Sequence, residues 1–211
     1  TLTPGTKDGV KEKYVYTNPD IIVSREKTEN NVIRIKHNGE LDNFSDGDVF
    51  LLRHHVYDGN VFNVTNSENI TFSDISIGSA AGMGWLITDR CTRFQLIDCT
   101  IGLENSDNAE RVSTTADAVH IANTNGYFKI SGCDFSFMGD DALNVHDNVY
   151  TVSKLTGKNK LTLYTNAPTF KTGDTAVFFD SKYNTIDFTA KVTAIDGDTV
   201  TFDRDIPDSV T

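Results

Sequence analysis

From Val61 onward, pairs of alternating apolar residues recur between short turns rich in Asn, Asp, Gly and Ser. Phe94, Leu96, Cys99 and Ile101 repeat the pattern of Ile70, Phe72, Ile75 and Ile77 at a constant offset of 24 residues. Phe128, Ile130, Cys133 and Phe135 repeat it again at an offset of 34. In the same way Trp85-Leu86-Ile87 precedes Val119-His120-Ile121, and the period returns to 24 at Leu143 and Val145. Alternation over a few residues between turns is strand spacing, not helix spacing. Short strands recurring at this period predict a parallel β-helix, in which each lap buries its apolar face only against its neighbours. Equivalent positions on successive laps then stack about 4.8 Å apart. The ten extra residues of the long lap must form a loop, and the polar, strand-poor segment LENSDNAERVSTTA is where they fit.

Residues 1–47 form an N-terminal β segment, with strands expected in KYVYT, DIIVSR and NVIRIKH. There Arg34 and Lys36 alternate with Ile33 and Ile35, the pattern of a half-buried strand with one solvated face. Residues 48–148 carry the laps. Beyond Asn148 the period stops, alternation sharpens, and hairpin signals stand at Thr156-Gly157 and Asp196-Gly197, so 149–211 reads as a small antiparallel β-barrel. The expected fold class is therefore all-β, a right-handed parallel β-helix carrying a small antiparallel β-barrel domain.

Stacked laps change the meaning of three acids. Asp117 and Asp141 are 24 residues apart, and Ala118, Val119 and Ile121 after the first match Ala142, Leu143 and Val145 after the second. Stacking brings their carboxylates to one strand spacing, and Asp140 directs a third to the same surface. Three nearby negative charges repel, so at least one is expected to hold a proton more tightly than a free Asp, giving an acid and a base at one pH. Glycoside hydrolysis needs that division: one carboxylic acid protonates the leaving oxygen while another carboxylate activates water or attacks the sugar. Capping of turn amides is the alternative reading of Asp140-Asp141, since Asp does this readily. A calcium loop is a poorer fit, because no run of alternating Asp and Asn ligands is present. No metal is expected.

Other polar positions border this stretch. His120, Asn144 and His146 project from one strand face on successive laps, as sugar-hydroxyl partners or as a plain surface ladder. Arg53-His54-His55 is a weaker polar cluster, read either as surface or as substrate contact. The turn Gly78–Gly84 places Met83 in line with Asp117, and its glycines would permit positive φ and close backbone approach. It lacks the Gly-Lys-Ser of a phosphate loop.

Composition narrows the partners. The 211 residues are 38% hydrophobic with a mean hydropathy of −0.33, and no apolar run approaches a membrane span. A net charge of −11 and a pI near 4.7 disfavour nucleic acid, anionic membrane surfaces and polyuronates, whereas a neutral sugar is not penalised. Cys99 and Cys133 share the inward column of Ile75, so buried thiols are favoured over a disulfide. The chain opens at Thr1 without Met or a secretory signal, which suggests a piece of a processed product. Neither a cofactor nor an oligomeric state is indicated.

The segments GSAAGMG, VSTTADAVH and MGDDALNVH, in this order, resemble glycoside hydrolase family 110, the bacterial exo-acting α-1,3-galactosidases that combine a parallel β-helix with a barrel domain and invert configuration. The resemblance covers about Gly47 to Asn148 and, loosely, GDTAVFFD. It implies Asp140 as proton donor, Asp117 and Asp141 as the carboxylates that hold water, a galactose-terminated oligosaccharide or glycan as substrate, and a periplasmic or secreted bacterial enzyme. Asp147 stands where the family usually has Gly, and the family's laps continue beyond its barrel, so sugar contacts from later laps would be missing from a chain ending at Thr211. The spacing of the acids also resembles the polygalacturonases, although no Gly-His-Gly follows. Outside enzymes, a non-catalytic carbohydrate-binding adhesin shares these features.

Overall fold

The computed structural model describes residues 22–30, 32–37, 57–103, 112–165 and 168–210. Among them the only helical element is one 3-10 turn, Asp208–Val210; the rest is strand and turn. The expected strand in KYVYT, the Arg53-His54-His55 cluster and the start of the first lap lie outside the described residues.

The N-terminal unit contributes an antiparallel hairpin, β1 (Ile22–Glu29) and β2 (Val32–His37), in which Glu29 pairs with Val32. Arg34 reaches Glu26 across it at 3.7 Å on a solvated face, as its alternation predicts. Ile33 and Ile35 are nonetheless 57% and 41% exposed, so these two residues are not the buried side that their alternation predicts.

The second unit holds the laps. One lap comprises β3 (Phe62–Thr65), β4 (Glu68–Ser73) and β5 (Ser76–Ile77); the next, β6 (Trp85–Thr88), β7 (Thr92–Ile97) and β8 (Thr100–Ile101). A third comprises β9 (Val119–Ala122), β10 (Phe128–Ser131) and β11 (Asp134–Phe135), and β12 (Leu143–His146) begins a fourth. Strands of equal rank pair in parallel, forming three sheets ordered β3-β6-β9-β12, β4-β7-β10 and β5-β8-β11. The register matches the sequence period residue for residue: Ile70 pairs with Phe94 and Phe94 with Phe128, Ile77 with Ile101 and Ile101 with Phe135, Val119 with Leu143. The insertion falls between Gly102, whose amide still bonds to Ile77, and Ser113, whose carbonyl accepts from Ala80. The inserted residues 104–111 lie outside the described residues.

Inward residues of all three sheets meet in one core. Trp85, fully buried, stacks on Phe62 at 5.6 Å and meets Phe72 and Phe135 at tilted angles, so each sheet contributes one aromatic ring to its surroundings. Cys91, Cys99 and Cys133 are free thiols. Burial pushes the Cys99 thiol up from its ordinary range.

The corners repeat as faithfully as the strands. Asn69, Arg93 and Tyr127, at one corner of three laps, have φ of 58°, 52° and 58°; Asp74, Asp98 and Gly132, at another, have 57°, 52° and 68°. Asn, Asp and Gly tolerate this left-handed region best, which explains their concentration between the apolar pairs. Gly132 is further constrained, because a Cβ there would lie 1.9 Å from Asp98 Oδ1.

After β12 the chain forms a five-stranded antiparallel sheet from β13 (Val152–Gly157), β14 (Lys160–Leu163), β15 (Thr175–Phe179), β16 (Thr185–Asp196) and β17 (Thr199–Phe202), ordered β13-β14-β17-β16-β15. Both expected hairpins form: Asp196 pairs with Thr199 across Gly197 at φ 57°, as expected, whereas Thr156-Gly157 ends β13 and the first turn is Lys158-Asn159, closed by Gly157 pairing with Lys160. Leu161, Val192, Val200 and Phe202 form its own apolar cluster. A carboxylate of this sheet, Asp174, takes two hydrogen bonds from Arg90 Nη1 at 2.9 and 2.7 Å, tying the sheet to the corner after β6.

Candidate active site

The site grows from the turns that lead into β9 and β12. In the lap below, the same column holds Met83, which is buried, so the acids begin only at the third lap. Gly84 beside it explains the small-residue turn: a Cβ there would meet the Ala118 carbonyl oxygen at 2.6 Å and Ile101 Cδ1 at 2.4 Å. Close approach, and not positive φ, is what this turn uses, since the glycines with positive φ among the described residues are Gly126, Gly132, Gly173 and Gly197.

Backbone bonds clamp the two acidic turns together. Gly139 donates to the Thr114 carbonyl at 2.8 Å, Ser113 to Phe137 at 2.8 Å and Ala118 to Asp141 at 2.9 Å. Ser113 and Thr114 are buried polar residues, and their hydroxyls are satisfied locally, on the carbonyls of Ser136 and Ala116 at 2.7 and 2.8 Å. Sequence reasoning marked this stretch by its place in the lap and missed its supporting role; the signal was Thr114-Thr115 where the preceding lap has Ala80-Ala81.

On this scaffold Asp117, Asp140 and Asp141 converge. One carboxylate oxygen from each lies within 4.8 Å of the other two. Asp117 is buried at 4% exposure, while Asp140 and Asp141 are exposed, so the group has a closed floor and an open rim. Oδ1 of Asp117 accepts from the Asp141 amide at 3.3 Å, and Oδ2 contacts Nδ1 of His120 at 2.6 Å. Nε2 of His120 in turn lies 3.0 Å from Nε2 of His146, with the rings perpendicular and their centroids 4.9 Å apart. Asn144 pairs in register with His120 on the adjacent strand and is half-buried. The three acids thus lie together, with His120 and its neighbour His146 beside Asp117 and Asn144 next to His120 on the adjacent strand.

This arrangement has two chemical capacities. Two carboxylate oxygens up to 4.8 Å apart can both accept from one water, because two hydrogen bonds of about 2.8 Å meeting at a tetrahedral oxygen span about 4.6 Å. The same oxygens could contribute ligands to a hard cation, although calcium takes about six to eight oxygens and three aspartates supply part of that shell.

No protein-family model matches the chain. Over a 145-residue alignment the chain is 28% identical to Alpha-1,3-galactosidase A of Shewanella woodyi, covering 65% of this chain and 23% of the relative. The relationship is distant, and the chain spans under a quarter of that relative's length.

Proposed function

We infer that the chain belongs to a glycoside hydrolase that removes terminal α-1,3-linked galactose with inversion, in the manner of glycoside hydrolase family 110. Asp140 is the general acid that protonates the leaving oxygen, and Asp117 and Asp141 hold and activate the attacking water. Its three parallel sheets form a right-handed parallel β-helix over residues 48–148, its five-stranded sheet a small barrel over 149–211, with 1–47 as an N-terminal β segment. The substrate is a galactose-terminated glycan, met outside the cytoplasm.

The observation that carries this reading is the convergence of three carboxylates from turns 24 residues apart, one buried and two at the rim. The similarity to a protein named as an α-1,3-galactosidase supports the substrate class. The −11 charge makes a neutral sugar a better partner than an anionic one, which places a polygalacturonase-like activity second among the hydrolases. Hydrolysis of a chromogenic α-galactoside by the gene product, lost in Asp140→Asn with sugar binding retained, tests it. Binding without turnover in the wild type would instead make this a carbohydrate-binding adhesin.

A further inference from the structure

His120 is expected from the sequence as a sugar contact or part of a surface ladder, yet both of its ring nitrogens are already engaged within the protein. Nδ1 of His120 is 2.6 Å from Asp117 Oδ2 and its Nε2 is 3.0 Å from His146 Nε2, so neither ring nitrogen is left to meet a hydroxyl. We propose that Asp117, His120 and His146 form a hydrogen-bonded chain in which His120, held as its Nδ1–H tautomer, is the positioning residue that fixes the aim of the Asp117 carboxylate.

The proton count follows from the heavy atoms. An ionised carboxylate only accepts, so the hydrogen in the Asp117–His120 contact sits on Nδ1. A neutral His120 then presents a lone pair at Nε2, and the 3.0 Å contact to His146 is satisfied by one proton, donated from His146 Nε2. Two protons between these nitrogens would repel, and none would leave two lone pairs facing each other. Perpendicular rings suit this bond, with the His146 N–H directed at the edge of His120.

The consequence for Asp117 is anchorage from two laps. Its own lap supplies the imidazole to Oδ2, and the next lap supplies the Asp141 amide to Oδ1. A carboxylate bonded at both oxygens cannot rotate about χ2 without losing both, so its aim at the neighbouring acids is set before any ligand arrives. Asp117 is 5% exposed and His120 17% at the side chain, so water competes poorly for these bonds. His146, exposed at the outer end, completes the chain by donating to Nε2 of the ring whose tautomer Asp117 selects.

Long-range 1H–15N spectra of the imidazoles at neutral pH test the arrangement, with His120→Asn and His146→Gln assigning the two rings among the five histidines of the chain. Wild-type His120 is expected as the Nδ1–H tautomer. His146→Gln should preserve it, because the Gln amide can still donate to Nε2, while Asp117→Ala should return His120 to the Nε2–H form that a free imidazole prefers. A wild-type His120 found as Nε2–H or doubly protonated overturns the proposal whether or not Asp117→Ala folds.

The positioning role rests on the hydrolase reading, and turnover tests it separately. His120→Leu should lower kcat about 100-fold with KM within about twofold, and His120→Asn, which offers an N–H near the place of Nδ1, should recover at least about tenfold. A rise in KM at unchanged kcat would make His120 a sugar contact and overturn the role. A wild-type protein without turnover would end the hydrolase reading and leave the tautomer result standing.

Discussion

The main-chain amide of Asp141 donates to the side chain of Asp117, 24 residues earlier and one lap below. That bond joins the repeat to the chemistry: the period that stacks Val119 under Leu143 also brings a buried carboxylate under two exposed ones. Each substitution below tests one consequence of this stacking.

Replacing each acid by its amide separates chemistry from fold. Asp140→Asn and Asp141→Asn, at exposed positions, should leave the unfolding free energy within about 0.5 kcal/mol of wild type and reduce hydrolysis about 10²- to 10⁴-fold. Asp117→Asn should lose activity similarly and some stability as well, because it weakens two bonds at a buried site. Parallel denaturant curves and rate assays distinguish these outcomes.

The apolar column predicts a graded cost along one sheet. Ile121 is 1% exposed, whereas Val145, stacked on it, is 49% exposed. Ile121→Ala should therefore cost about 2–5 kcal/mol and Val145→Ala under about 1 kcal/mol, measured by urea titration of the same chain. Equal costs would show that something covers β12 in solution.

Gly84 should not tolerate a methyl group. With backbone oxygen at 2.6 Å, Gly84→Ala must push the Ala118 carbonyl, which receives the Trp85 amide at 2.9 Å and adjoins Asp117. About 1–3 kcal/mol of stability should go, together with part of the activity, whereas Gly126→Asn, at positive φ in open space, should be far milder.

The Arg90–Asp174 pair sets an acid limb of stability. Burial alone would raise the Asp174 carboxyl, but the hydrogen bonds from Arg90 and from the Lys171 amide outweigh it and hold the group below the ordinary carboxylate range. The unfolded chain then binds the proton more tightly, so this contribution, about 1 kcal/mol for a partly exposed pair, is complete above the ordinary Asp range and disappears as pH falls through the lowered folded value. Asp174→Asn should flatten that limb of the stability–pH profile. An unchanged profile would mean the pair contributes nothing.

Much of this architecture was legible because a stacked lap forces its period on the sequence. Ile70, Phe94 and Phe128 recur because each must fill the same slot, and the long lap betrayed its insertion by shifting every later apolar residue together. The corners were legible as composition, since left-handed φ selects Asn, Asp and Gly. Side-chain aim was not. His120 reads as a face residue by alternation, yet its ring turns back across three residues to Asp117, a choice made by rotamer and partner and not by period. The exposure of Ile33 and Ile35 was equally hidden, because alternation marks a strand and does not say what lies against it.

If the acids work as a water-activating set, hydrolysis proceeds without added metal, and incubation with a chelator should leave the rate of α-galactoside cleavage unchanged. Loss of rate, restored by a divalent cation, would transfer Asp117, Asp140 and Asp141 to a metal shell.

The most direct measurement is the anomer of galactose seen first by time-resolved 1H NMR as the gene product cleaves an α-1,3-galactoside. Water delivered by Asp117 and Asp141 opposite the Asp140 proton donor gives β-galactose at the earliest time points, before mutarotation. α-Galactose appearing first, or no galactose at all, would contradict the roles given to the three carboxylates.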